Sequence, residues 1–165
     1  ADREAAYAVA LLDELLERLF DLIADLPQAA LDDAPQGTTN SIGVLVLHMA
    51  GAEARWMARS TQVSIPPDLE QLLGPRRDAA GDLPPSVLSA EQLIALCRRV
   101  RHEVTEPALS SLPGIDVEIP DERSQMTVRQ VLMHLIWQWT YHSGQVGYLR
   151  RLWGARYQWS LVTRG

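Results

Sequence analysis

The chain has 165 residues, 47% hydrophobic and 22% charged, a composition that fits one soluble globular domain spanning 1–165 and excludes a disordered tail or a disulfide-stapled miniprotein. Acidic residues outnumber basic ones by 21 to 15, for a net charge of −6, so no global field exists to capture phosphate backbones and nucleic acid is not the expected partner. All the basic residues are Arg, which removes lysine-based catalysis.

In chain order, residues 3–26 carry Leu12, Leu15, Leu16, Leu19, Ile23 and Leu26 at three-to-four spacing, with Asp13, Glu14, Glu17, Asp21 and Asp25 around the rest of the turn. That pattern predicts an amphipathic first helix ending before Pro27. Thr39, Asn40 and Ser41 offer an N-cap for a second helix running to about Arg59. From Thr61 to Leu88 the pairs Pro66-Pro67 and Pro84-Pro85, with Gly74, Pro75 and Gly81, forbid a long helix. At most a short turn around Asp68 to Leu73 survives there. So long a connection is usually a crossover spanning a bundle or a lid over a site, and a crossover is the expectation.

Ser89-Ala90-Glu91-Gln92 is a capping box that opens a third helix with Leu93, Leu96, Cys97, Val100 and Val104 as its apolar stripe, bent or ended by Pro107. Ile115 to Ile119 alternates with period two, but no partner strand is evident, and a loop laid along the bundle is expected. A second capping box, Thr127-Val128-Arg129-Gln130, starts a fourth helix that stops at Gly154 after Arg150 and Arg151. Residues 131–141 are apolar almost all the way round, so the helix must be covered on more than one side, and a homodimer is expected. Gly144 and Gly147 predict close backbone packing to offset about 1 kcal/mol each of lost helix propensity. The fold class expected is all-α, a four-helix bundle.

Charge and cysteine usage add expectations about setting. Every Asp and Glu lies at or before Glu122, leaving residues 123–165 with Arg alone among charged side chains. These arginines are expected to neutralise the acidic first helix or cap the last, with an anionic small substrate as the sharper alternative. Cys97 is the single cysteine and no leader pattern precedes the first helix, so a reducing cytoplasm is expected. Gln130 to Leu149 has no formal charge, yet His134, Gln138, Thr140, His142 and Gln145 recur along it. A helix buried in protein is expected, not a membrane span.

Of four histidines, His102 lies in the charged run Arg98 to Glu103 and reads as solvated surface. His48 falls within Ile42 to Ala50, where an imidazole must hydrogen-bond or coordinate. On the fourth helix His134, Gln138 and His142 rise along one face at four-residue spacing. His134 and His142 are roughly 12 Å apart along the axis, too far to share one ion whose ligand bonds are about 2.0–2.3 Å. The workable set is therefore Gln138 and His142 from helix four with His48 from helix two, leaving an open position for water or a thiol. A neutral amide oxygen is a poorer donor to Zn or Ni than imidazole.

Two segments resemble the DinB/YfiT-like superfamily of bacterial four-helix bundles. Asn40 to Trp56 is similar to its helix-two pattern of a His, an acidic residue five later and a Trp three beyond, here His48, Glu53 and Trp56. Thr127 to Gly154, with Tyr141-His142-Ser143-Gly144-Gln145, is similar to its last helix, H-x-x-x-H-x-G-Q. The resemblance implies a DinB-type bundle with a long crossover connection between helices two and three, usually dimeric, carrying a divalent metal on three histidines. His48 and His142 match two ligand positions; the third is Gln138, so the triad is incomplete, and His134 matches a position upstream of the ligands. Members are described as metal-dependent hydrolases or as transferases and isomerases using bacillithiol or mycothiol. Three functional readings follow: a metal site on His48, Gln138 and His142 activating water or a small thiol; a metal-free pocket in which these residues, with His134 and Tyr141, bind a small molecule; or a structural dimer.

Overall fold

The computed structural model describes residues 3–36, 38, 40–120 and 126–157. Its helices are α1 (Arg3–Ile23), α2 (Gln28–Asp32), α3 (Ile42–Thr61), α4 (Pro67–Leu73), α5 (Ala90–Val100), a π-helical segment (Arg101–Thr105), α6 (Glu106–Ser110) and α7 (Val128–Leu152), with no strand among the described residues. This is the expected all-α bundle. α7 packs along both α1 and α3, and α5 packs on α3.

Helix ends follow local chemistry. The Ser41 hydroxyl accepts the Val44 amide proton at 3.3 Å and so caps α3; Thr39 lies outside the described residues. Both expected capping boxes form: Ser89 and Gln92 exchange hydrogen bonds of 3.2 and 2.9 Å, Thr127 and Gln130 bonds of 3.4 and 2.8 Å. α7 stops two residues before Gly154, which takes φ +89°. In the connection, α4 is a seven-residue helix rather than a single turn. Pro67 stands at its first position, where a missing N–H costs nothing, and Leu69 and Leu73 are buried beneath it.

The core runs between the long helices. Leu12, Leu16, Leu19 and Ile23 of α1, Leu45, Met49 and Met57 of α3, Leu93 and Leu96 of α5, and Leu135 and Trp139 of α7 are all buried. Each such side chain contributes about 1.5–3 kcal/mol relative to exposure. Ile115 and Ile119 are buried too, and their segment pairs with the residues leading into α7 through Ile119 N–H to Met126 O at 2.9 Å and Val128 N–H to Val117 O at 3.0 Å. This isolated bridge is local, because its partner residues immediately precede a helix.

One charged group and two glycines depart from the sequence reading. Arg101, counted within a solvated run, is only 4% exposed. Its guanidinium donates to both Glu53 oxygens at 2.8 and 3.1 Å and contacts Asp13, while the Thr105 hydroxyl donates to Glu53 at 2.6 Å. The cause is the π turn, closed by Glu106 N–H to Arg101 O. Its extra residue rotates Arg101 and Thr105 inward, just ahead of Pro107, whose ring is incompatible with a regular α turn over Glu103. Gly144 and Gly147, expected to meet a close neighbour, instead border a groove between α1 and α7. A Cβ at Gly144 would meet nothing within 4 Å, and one at Gly147 only Leu22 at 3.9 Å.

The C-terminal arginines Arg129 and Arg150 do neutralise acidic partners, Arg129 on Glu4 and Asp116, Arg150 on Asp25 at 2.5 and 2.8 Å. Arg150 holds the Asp25 carboxyl below its ordinary range, tying the end of α1 to the last turns of α7. Among the described residues no helix is long and apolar enough to cross a membrane.

Candidate functional site

The packing of α3 on α7 brings together residues ninety positions apart. Gln138 is buried, and its Nε2 donates to His48 Nε2 at 3.2 Å. The His48 and His142 rings meet edge to face with centroids 5.1 Å apart. Nδ1 of His142 is 2.6 Å from Oε1 of Gln145. An amide oxygen only accepts, so this contact fixes the Nδ1–H tautomer and leaves the Nε2 lone pair free. His48 is held neutral: burial, then His142, Arg77, Arg76 and Arg55, lower its pKa from 6.5 to about 4.

These residues line a pocket of about 400 Å³ shared with Arg55, Trp56, Arg59, Arg76, His134 and Trp137. His134 lies between Trp56 and Trp137, at ring separations of 5.4 and 6.0 Å. Tyr141 stands outside the lining; it stacks on Trp137 at 5.2 Å and presents an edge to His142 at 5.2 Å. The four residues His48, His134, Gln138 and His142 thus converge, and Tyr141 backs them. His102 is elsewhere and exposed, beside Glu106 at 3.0 Å. Cys97 is buried away from the pocket, its thiol pKa pushed up by burial.

Sequence reasoning missed the cationic wall. Arg55 and Arg59 share a face of α3 with His48, at spacings of seven and eleven residues, a periodicity open to detection. Arg76 belongs to the connection, whose Pro75, Arg76 and Pro84 lie against His48 in a small adjoining cleft; nothing local marked it. Gln145 was visible as a polar residue of the uncharged stretch and as the last letter of a motif, but not as the partner of His142. Glu53, the acidic residue of the helix-two pattern, belongs to the buried ion pair and not to the pocket.

Among the described residues no group of three or more His, Cys, Asp or Glu could hold a metal ion. Any ion here would rest on two imidazoles and one amide oxygen. With bonds of about 2.0–2.1 Å to nitrogen, two imidazoles on a tetrahedral ion have centroids about 5 Å apart, the spacing of His48 and His142. The Gln138 Oε1 atom is buried with no hydrogen-bond partner, an arrangement costing about 1–3 kcal/mol. Turning the amide over would offer that oxygen to the imidazoles. The donor set therefore fits a borderline-soft divalent ion.

Fold and site together define a DinB/YfiT-like helical bundle with a His-Gln-His pocket. The family model described as Mycothiol-S-transferase matches residues 8–154, and the chain belongs to that family. It is also 29% identical over 126 residues, 70% of this chain and 68% of the relative, to the protein named Uncharacterized protein YkkA of Bacillus subtilis (strain 168).

Proposed function

We propose that the protein is a transferase acting on a low-molecular-weight thiol, mycothiol or bacillithiol, with His48, Gln138 and His142 holding a divalent ion, Zn or Ni. The observation that carries this reading is the convergence of those three side chains at the base of the pocket, one with an orphaned oxygen. The ion, when bound, would lower the proton affinity of the thiol. The protein's own groups supply the remainder. His48 stays unprotonated and so keeps a lone pair available, and Gln145 orients the His142 ring. Arg55, Arg76 and Arg77, which disfavour positive charge on His48, favour a thiolate over a thiol by the same field. Trp56, His134 and Trp137 offer flat walls beside the reacting sulfur. In the reaction the sulfur forms a bond to an electrophilic carbon, the leaving group departs with its bonding pair, and the thiol proton passes to solvent. A reducing cytoplasm suits such a thiol.

The experiment is product formation from each thiol with monobromobimane, measured by mass spectrometry of the thioether. Formation above the uncatalysed rate, lost in His48→Ala and His142→Ala, supports the reading; no acceleration with either thiol contradicts it. A second reading has its own observation: the 3.2 Å bond from Gln138 Nε2 to His48 Nε2 gives that imidazole nitrogen a partner without an ion, as a metal-free binding pocket would require. Ligand binding that is unchanged in excess chelator would favour it. A purely structural role predicts that His48→Leu combined with Gln138→Leu preserves stability with no activity to lose.

We also propose a homodimer through α7. Met133, Trp137, Tyr141, Tyr148 and Leu152 are exposed and, with Gly144, follow one another at intervals of three or four along one face of that helix.

A further inference from the structure

We propose that the pocket binds a ligand bearing a carboxylate-like anionic group, received by Arg55 and Arg76 beside His48, so that an organic acid is among the molecules the site accepts. This rests on the pocket being a substrate site, as proposed above, but not on thiol chemistry taking place there.

The argument starts from how the two guanidiniums are held. Arg55 is half-buried and donates to the carbonyl oxygen of Gly74, pinning α3 to the end of α4. Its guanidinium lies back over Gly51, where an added Cβ would come within 2.5 Å of Nη1; the absent side chain makes room for the charge. Arg76 follows two residues after Gly74, and both arginines line the cleft against His48 as well as the larger pocket. Among the described residues no Asp or Glu lines either space. Arg59, at the rim, lies over the Trp56 ring at 5.2 Å. Burial lowers the Arg55 pKa, Glu70 opposes that and Arg76 adds to it, so the two cations feel one another across the empty space. An anion entering beside half-buried Arg55 and exposed Arg76 would relieve the repulsion between them. Two guanidiniums match a planar carboxylate through charge-assisted hydrogen bonds. About 400 Å³ is room for a small organic acid beside a thiol's sulfur end.

The test is equilibrium binding to the full chain in EDTA without thiol, read by tryptophan fluorescence, since Trp56 and Trp137 line the pocket. The probes are succinate and glutarate against their neutral isosteres, succinamide and glutaramide. The expected result is at least roughly tenfold tighter binding of a diacid than of its diamide, weakening with added salt, and a loss of at least roughly tenfold in Arg76→Glu. Arg76 is exposed, so this variant should fold; circular dichroism checks it, and Arg55→Gln gives a second variant. Equal affinity for acid and amide, binding of neither, or full affinity in Arg76→Glu overturns the proposal. Such a failure leaves thiol transfer to a neutral electrophile standing, whereas failed thiol transfer leaves the measured anion binding intact.

Discussion

His48 contributes to how the metal-free protein responds to acid. Its pKa is about 4 in the fold, against 6.5 for an ordinary histidine, so between those values the unfolded chain takes up a proton that the folded chain refuses. Stability from this group is complete above pH 6.5 and is lost as pH falls toward 4. In EDTA, the melting temperature of the wild type should fall across that window more steeply than that of His48→Gln; parallel curves would contradict the assignment. The buried pair makes a second residue-scale prediction. Glu53→Gln leaves Arg101 with only part of its compensation and should cost about 3–5 kcal/mol in urea denaturation, whereas Glu53→Leu combined with Arg101→Leu should cost less than the two single changes added together. The imidazoles and Gln138 were legible because spacing along α7 and the apolar run around His48 each restrict what a polar side chain can do. Arg101 was not, because its inward turn depends on a π segment that the side-chain pattern does not encode.

Helix boundaries were the most readable feature, since caps are written in three or four adjacent residues. Ser41, Ser89 and Thr127 all cap as their sequence contexts predicted, and Thr127→Ala should cost about 1 kcal/mol through loss of that cap. The end of α3 carried no such signal. Gln62 closes it in the left-handed region at φ 61°, with no Cβ-free residue to relieve the strain. Gln62→Gly should therefore raise stability by up to about 1 kcal/mol, measured by urea denaturation; a loss would mean that the side chain contributes more than its backbone costs. The partner of the Ile115–Ile119 segment was hidden because it is one extended residue, Thr127, at the cap of a helix and not a strand. Gly144 and Gly147 misled for a related reason: a glycine can mark either a close neighbour or an open groove, and only the placement of α1 decides which.

At the scale of the whole molecule, the pairing of α3 with α7 is the event that makes a site, and neither helix's sequence specifies the other as its partner. The limits on which side chains could share an ion, and then the family pattern, suggested that pairing; the cationic wall needed the connection folded back over His48. The exposed face of α7 predicts a dimer, so sedimentation equilibrium should give twice the chain mass for the wild type, and Tyr148→Asp should shift it toward the monomer. A monomeric wild type at micromolar concentration would remove that proposal without touching the pocket. The central claim is that two imidazoles and an amide from distant parts of the chain form one metal-binding centre. Elemental analysis of the protein purified without a polyhistidine tag tests it most directly. A stoichiometric divalent metal in the wild type, lost in His48→Ala and His142→Ala, is the predicted result. Protein without stoichiometric metal, whose melting temperature does not rise on addition of Zn or Ni, would contradict it.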